Sequence, residues 1–334
     1  MSDDVTLNET EARELALRAC LNAGASLPSA QSLVNATISA MLYGPPTLGF
    51  PHLVDYLSSF REGRIKCDPS PVLYQPFPAF LTCDADEGVA QLGFDYAFSR
   101  IVDAAQNFGL AIFTQKNSYT AGELGYYVRR LAAEGLVGLA ATNANALVTP
   151  KAGQSAVYST NPFAFGFPLG AGSLPLIIDQ ASSATAYVNV VRAAAEGRPI
   201  PDDWAVDKNG NPTRDPLEAL EGALLPFGGR KGGNIALLVE MLSAGLSGGP
   251  WSLDTPDFTS GGNSPTVGLT VLAIMPGNDQ DSTIDRAAKQ ARRLAGLGVF
   301  IPGVTGTSPS GNVLRIPRDV FDVVEQFATL RERT

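Results

Sequence analysis

The chain has 334 residues, room for about two domains of ~150 residues each, and 45% of them are apolar against 17% charged, which excludes a disordered chain. Lys and Arg total 24 and Asp and Glu 33, for a net charge of −9 with a single histidine. That balance excludes a partner bound through a phosphate backbone, which needs a basic face.

The first 66 residues read as helical. Asn8 and Glu11 have the spacing of a capping box, and Leu15, Ala16, Ala19 and Cys20 follow at helical spacing to a stop at Gly24. A second stripe (Leu33, Val34, Thr37, Ile38, Met41, Leu42) follows Pro28. Gly44-Pro45-Pro46 breaks it, because two prolines forbid continuation, and Leu53–Phe60 predicts a third, shorter helix. From Pro71 short apolar runs alternate with helical segments. Leu110–Thr114, Leu136–Thr142, Phe163–Pro168, Leu174–Ile178 and Leu269–Met275 are predicted strands, apolar enough to be covered on both faces. Gly93–Asn107, Gly122–Glu134, Ser182–Ala195 and Lys231–Leu246 carry helical periodicity, as do Ser282–Leu297 and Arg318–Leu330, where Pro317 suits a first helical position. The pattern is α/β. Residues 1–70 with 280–334 are expected to form a helical domain around a central sheet domain, 71–279.

Cys20, Cys67 and Cys83 lack metal or redox spacing and read as reduced core thiols. With one histidine, no metal site is expected. The acidic start has no signal-peptide regions and no apolar run reaches the ~18 residues of a membrane span, so a cytoplasmic protein without a membrane partner is expected.

Neither standard nucleotide fingerprint is present. Gly228-Gly229-Arg230-Lys231-Gly232-Gly233 is the densest candidate: its glycines let an anion approach backbone N–H groups at a helix start, and Lys231 adds a mobile charge. The plain alternative is a helix-opening loop with a solvated Arg-Lys pair. Asp179, between a strand and a helix, either caps the helix or binds a hydroxyl pair such as a ribose. Ser159-Thr160-Asn161-Pro162 is a polar turn. His52 follows Thr47-Leu48-Gly49, and a lone histidine is as readily structural as catalytic.

Taken in order, Gly122-Glu-Leu-Gly-Tyr-Tyr127, Ser159-Thr-Asn-Pro162, Ile200-Pro-x-x-Trp204-Ala-x-Asp207-x-x-Gly210-x-Pro-Thr213-x-Asp215-Pro216, Pro226-x-Gly-Gly-x-Lys-Gly232 and Ile301-Pro-Gly303 resemble the malate/L-lactate dehydrogenase family that lacks a Rossmann fold. Asn117-Ser-Tyr-Thr120 and Asp179-Gln-Ala-Ser-Ser183 are most similar to its Δ1-piperideine-2-carboxylate/Δ1-pyrroline-2-carboxylate reductase branch. The resemblance implies a non-Rossmann mixed-sheet NAD(P)-binding domain, NADPH or NADH as cofactor, and hydride transfer on a 2-oxo, 2-hydroxy or 2-imino acid. It also implies a homodimer whose active site forms where the subunits meet. Cofactor contacts map onto Thr120, Ala121, Gly122, Glu123 and Leu124, onto Ile178, Asp179 and Gln180, and onto Lys231, Pro302 and Gly303. Thr160 corresponds to a substrate-contacting position. Lys116, Arg192 and Arg230 are candidates for a ribose 2′-phosphate.

The chain departs from the family at its proton donors. Leu48 stands where the family carries a histidine, His52 where it carries the arginine that holds the substrate carboxylate, and Thr120 where a second histidine is common. Reducing a ketone requires an acid for the alkoxide, worth ~10²–10⁴ in rate, whereas an imine arrives protonated. The expected reaction is therefore reduction of a cyclic imino acid to proline or pipecolate. Thr47 would orient substrate or water, and His52, as imidazolium, would hold the carboxylate with Thr160. Affinity should then fall as pH passes ~6.5, where histidine ordinarily titrates. The alternatives are a 2-hydroxy-acid dehydrogenase whose acid is Tyr119 or a water, and a catalytically degenerate nucleotide-binding member.

Overall fold

The computed structural model describes residues 4–258, 261–277, 279–302 and 313–329. In chain order the elements are β1 (Val5–Asn8), α1 (Glu9–Asn22), α2 (Leu27–Tyr43), α3 (Phe50–Arg61), β2 (Val72–Phe77), β3 (Phe80–Asp84), α4 (Ala90–Phe108), β4 (Leu110–Ser118), α5 (Leu124–Ala133), β5 (Val137–Thr142), β6 (Phe163–Phe167) and β7 (Leu176–Gln180). There follow α6 (Tyr187–Ala195), β8 (Ala205–Val206), α7 (Pro216–Glu221), β9 (Ala223–Leu224), α8 (Arg230–Glu240), β10 (Val267–Ile274), α9 (Gln280–Gly296), β11 (Val313–Ile316) and α10 (Arg318–Thr329).

Seven strands form one sheet in the order β2-β3-β4-β10-β5-β6-β7. Only β3 and β4 run parallel; the other pairings are antiparallel, which makes the sheet mixed. Its centre is apolar and buried along β4, β5 and β10, as the uninterrupted apolar runs require, whereas β2 at the edge is mostly exposed. Helix α5 lies directly on this sheet. A Cβ on Gly138 would come within 3.0 Å of Val128 Cβ, and one on Gly166 within 2.8 Å of the Val128 carbonyl oxygen. These two glycines face each other across β5 and β6, so only residues without a side chain let α5 approach so closely.

A second core gathers α1, α2, α3 and α10, with Leu33, Phe50, Leu57, Ile316 and Val324 inside. The reading of residues 1–66 as helical needs one correction: Val5–Asn8 is a strand, paired antiparallel with Val313–Ile316. The capping box itself forms, with the Glu11 N–H donating to Asn8 Oδ1 and the Asn8 N–H to Glu11 Oε2, both at 2.9 Å. Pro317 is not inside α10 but immediately before it, where its carbonyl accepts from the Phe321 N–H at 2.9 Å. Helix α9 packs on Leu169, Phe167, Leu176 and Ile301, beside the β6-β7 edge of the sheet, whereas α10 packs on α1 and α3. Among the described residues no helix is long and apolar enough to cross a membrane. The three cysteines are free, and burial pushes the Cys20 and Cys83 thiols up to about 12.

Candidate active site

Three clusters meet along one path across the sheet. The first centres on His52, which lies in the first turn of α3. Its Nδ1 lies 3.0 Å from Asp55 Oδ2, three residues on along the same helix face, and its Nε2 lies 3.5 Å from Thr120 Oγ1. The ring meets Tyr56 edge-on at 4.9 Å and Phe258 at 6.2 Å. Thr120 Oγ1 donates to the Tyr56 hydroxyl, which donates to the Thr120 carbonyl, both at 2.9 Å. Gln91 Nε2 completes the group by donating to the Ala121 carbonyl at 3.0 Å. His52 and Thr120, far apart in the chain, are therefore neighbours.

Tyr119 does not face this cluster as an acid. Its buried hydroxyl is shared with Ser59 Oγ at 2.8 Å and donates to the Phe258 carbonyl at 3.0 Å, and burial pushes it up to about 12. Burial likewise raises the Tyr56 hydroxyl. Thr47 is exposed in the 3₁₀ turn Pro46–Leu48, directly before α3, and Leu48 is half-buried beside it.

The second cluster surrounds the start of α5. Thr120, Ala121, Gly122 and Glu123 form the loop into this helix and Leu124 begins it. Asp179, at the end of β7, accepts from the Gly125 N–H at 2.7 Å. The carboxylate thus caps a helix, but α5 across the sheet and not α6, the next helix in the chain. Burial raises Asp179 to about 6, with the Glu123 charge adding to the rise and the Gly125 N–H opposing it. Glu123 is buried and held by Arg129, whose Nη2 donates to Oε1 at 2.7 Å. Ile178 and Gln180 flank Asp179 on β7. The Pro302 carbonyl accepts from the Ile177 N–H at 3.3 Å, which brings the Ile301-Pro302 turn beside this strand; Gly303 lies outside the described residues.

The third cluster is the glycine loop ahead of α8. Gly228 and Gly229 have φ of 56° and 63°, a backbone conformation that L side chains rarely adopt. A Cβ on either would meet nothing within 4 Å, so their backbone borders open space. That space is a cleft of about 550 Å³ lined by Lys151, Tyr158, Asp203, Arg230 and Asn234. Lys231 stands exposed at the first turn of α8. Backbone bonds from Phe227 N–H to the Ser182 carbonyl at 3.1 Å and from Ala184 N–H to the Leu225 carbonyl at 2.8 Å tie this loop to the segment that leaves β7.

Thr160 joins the path at that segment, its carbonyl accepting from the Ser182 N–H at 2.8 Å. The turn that carries it is fixed from below. Asn161, in the left-handed conformation at φ 38°, donates through Nδ2 to Glu240 Oε2 at 2.8 Å. Buried Glu240 also accepts from the Ser252 N–H and hydroxyl, each at 2.7 Å. Among the described residues no hydrogen bond or ring contact joins Thr160 to His52. Sequence reasoning missed Gln91 and Glu240, which acquire meaning only from a distant partner, Lys151, which only the folded cleft brings to the glycine loop, and Asp55, whose i, i+3 spacing from His52 could have been read.

A nicotinamide dinucleotide requires an anion cradle for its phosphates and hydroxyl partners for its ribose. The open glycine backbone at the start of α8, with Arg230 and Lys151 on the same cleft, fits the first need, and the carboxylate of Asp179 fits the second.

The sequence comparisons agree with this geometry. The malate/L-lactate dehydrogenase family model matches residues 7–303. A Δ1-pyrroline-2-carboxylate reductase of Burkholderia multivorans is 31% identical over 331 residues, 96% of this chain and 97% of that protein. A (2R)-3-sulfolactate dehydrogenase (NADP+) of Chromohalobacter salexigens is 33% identical, spanning 99% of this chain and 100% of that protein. Among solved structures, the Δ1-piperideine-2-carboxylate reductase of Pseudomonas syringae pv. tomato superposes with a TM-score of 0.88 at 32% identity, covering 97% of this chain and 99% of that one. The chain therefore belongs to the malate/L-lactate dehydrogenase family and is an oxidoreductase.

Proposed function

We propose that this enzyme reduces a cyclic imino acid bearing a 2-carboxylate, Δ1-pyrroline-2-carboxylate or Δ1-piperideine-2-carboxylate, to proline or pipecolate with NADPH. The observation that carries this reading is a cluster whose one ready acid, the His52 imidazole, stands at the position read as the carboxylate anchor, with no second acid beside it. Leu48 holds no proton to give, Thr120 replaces a histidine, and the Tyr56 and Tyr119 hydroxyls are committed to backbone carbonyls and held far above neutral by burial. A ketone leaves an alkoxide that needs an acid besides the one holding the carboxylate, whereas an iminium carries its own proton. The relatives named for cyclic-imine reduction support the same substrate class.

When bound, the nicotinamide supplies the hydride. The chain's own residues bind and orient. His52, as imidazolium, anchors the substrate carboxylate; Thr160 and Thr47 offer hydroxyls to substrate or water. Thr120–Leu124, Ile178, Asp179, Gln180 and Pro302 hold the cofactor, and Lys231 its phosphates. Of the three basic candidates for a 2′-phosphate, Arg230 lines the cleft, whereas Lys116 lies on β4 and Arg192 contacts Asn189 on α6. We assign the NADPH preference to Arg230, with Lys151. We further infer a cytoplasmic protein, in keeping with its free thiols, and a homodimer with its site at the subunit boundary, because exposed Leu237, Leu238 and Met241 follow one another along α8 and its continuation and Leu237 lines the cleft.

The test is NADPH oxidation by the purified enzyme with each cyclic imine, pyruvate, oxaloacetate and 3-sulfopyruvate. The expected result is a kcat/KM for a cyclic imine ~10² or more above that of any keto acid. Comparable turnover of a keto acid would overturn the reading and favour the 2-hydroxy-acid chemistry of the sulfolactate relative; cofactor binding without any turnover would identify a degenerate member.

A further inference from the structure

His52 differs from an arginine in having two ring nitrogens, of which one need not carry a proton. The structure gives these nitrogens different neighbours. Nδ1 faces the Asp55 carboxylate at 3.0 Å and Nε2 faces Thr120 Oγ1 at 3.5 Å. The groups around the ring are Asp55 and Tyr56 from α3, Tyr119 and Thr120 from the segment after β4, and Phe258. Of these only Asp55 carries a charge. A carboxylate accepts and does not donate, so a proton must sit on Nδ1. Thr120 Oγ1 spends its own proton on the Tyr56 hydroxyl, which leaves Nε2 as the nitrogen that gains or loses one. The His52 side chain is 13% exposed and that of Asp55 43%, so the pair is reached from solvent at the Asp55 end.

We propose that Asp55 is a positioning residue that locks His52 in the Nδ1–H form and so makes substrate binding all-or-none in the proton on Nε2. The proposal rests on the reading of His52 as the carboxylate anchor. With Nε2 protonated, the ring donates to the substrate carboxylate. Once that proton leaves, the Asp55 bond prevents the remaining proton from moving across the ring, and a lone pair is turned towards an anion. Without Asp55 the neutral ring takes the Nε2–H form that free histidine prefers, and still donates. Deleting a carboxylate near an anion site is then expected to flatten the pH dependence of binding, the reverse of what a merely structural role predicts.

The single histidine of the chain makes the test direct. Imidazole ¹⁵N spectra of the histidine-labelled protein in alkaline buffer report which nitrogen keeps its proton, without reference to turnover. The wild type is expected to show Nδ1–H and Asp55→Ala Nε2–H. Asp55→Asn, whose side-chain oxygen still accepts, is expected to keep Nδ1–H. In parallel, KM for Δ1-pyrroline-2-carboxylate should rise about tenfold or more from acidic to alkaline buffer in the wild type and in Asp55→Asn. It should rise several-fold less in Asp55→Ala, whose neutral ring loses its charge but still donates, with kcat little changed; comparing variants at each pH removes the ionisation of the imine itself. An Nε2–H wild-type ring, or an Asp55→Ala enzyme with the full wild-type rise in KM, would overturn the proposal. A wild type with the Nδ1–H ring that reduces no cyclic imine faults the substrate assignment instead, while supporting the control of the ring by Asp55.

Discussion

Asp179 sits where burial and a helix end pull its carboxyl in opposite directions, and burial wins, raising it from 3.8 to about 6. Its folded-state value lies above the unfolded one, so the fold favours the protonated form. The associated stability is whole below pH 3.8 and is lost as pH climbs through about 6. Asp179→Asn stays neutral throughout and still accepts from the Gly125 N–H. Thermal melts should therefore show the wild type losing Tm relative to this variant between those two pH values. A second residue carries a neutral hydrogen bond worth measuring. Thr120→Val keeps the shape of a buried side chain but deprives the Tyr56 hydroxyl of a donor, which should cost about 1–2 kcal/mol in denaturant unfolding. The sequence points to Thr120 and Ala121 as site residues, yet nothing in it announces Tyr56 as the partner of the first or Gln91 as that of the second, because those bonds span 64 and 30 residues.

Elements were readable in proportion to how local their causes are. The capping box that starts α1 is a contact between residues three apart, and it formed as read. The central strands announced themselves through unbroken apolar runs of their own. By contrast β1 and β11 are four residues each and exist only as a pair, so neither has a pattern by itself, and the Val72–Phe77 strand is mostly exposed and contains a proline that argues against a strand interior. Helix α6 begins at Tyr187, five residues after the predicted Ser182, because Ser182 and Ala184 spend their backbone groups on Phe227 and Leu225. The seat of α5 is likewise invisible in sequence: Gly138 and Gly166 are ordinary glycines until they are found in register beneath Val128. Gly138→Ala should lift α5 off the sheet and cost about 1–3 kcal/mol. Since the same helix presents the Gly125 N–H to Asp179, this variant should also raise KM for the cofactor, read by initial rates, while Ala on a solvent-facing position of α5 should leave KM unchanged.

Across the whole molecule, the net charge of −9 opposes a dinucleotide and a carboxylate alike. The local cations at the cleft, Lys151 and Arg230, have to outweigh it over short range, and the Debye length of about 8 Å at physiological salt confines the opposing field. Reversing Arg230 to Glu should raise KM for NADPH at least tenfold more than KM for NADH, since only the former carries the extra phosphate. The apolar face of Leu237, Leu238 and Met241 belongs to this scale too. If this face joins two copies as proposed, Leu238→Glu should leave a monomer by light scattering and abolish turnover together with the association.

The pairing of β1 with β11 sets an order of events during synthesis. The core that houses α3, and with it His52, is closed by Leu314, Ile316 and Val324, which leave the ribosome after every strand of the seven-stranded sheet. The sheet can be finished while that half of the molecule still waits for its last strand and helix. A nascent chain arrested before Val313 should thus protect its sheet from protease while the segment from Glu9 to Arg61 is still cut, and that segment should become protected only once residues 313–329 have emerged.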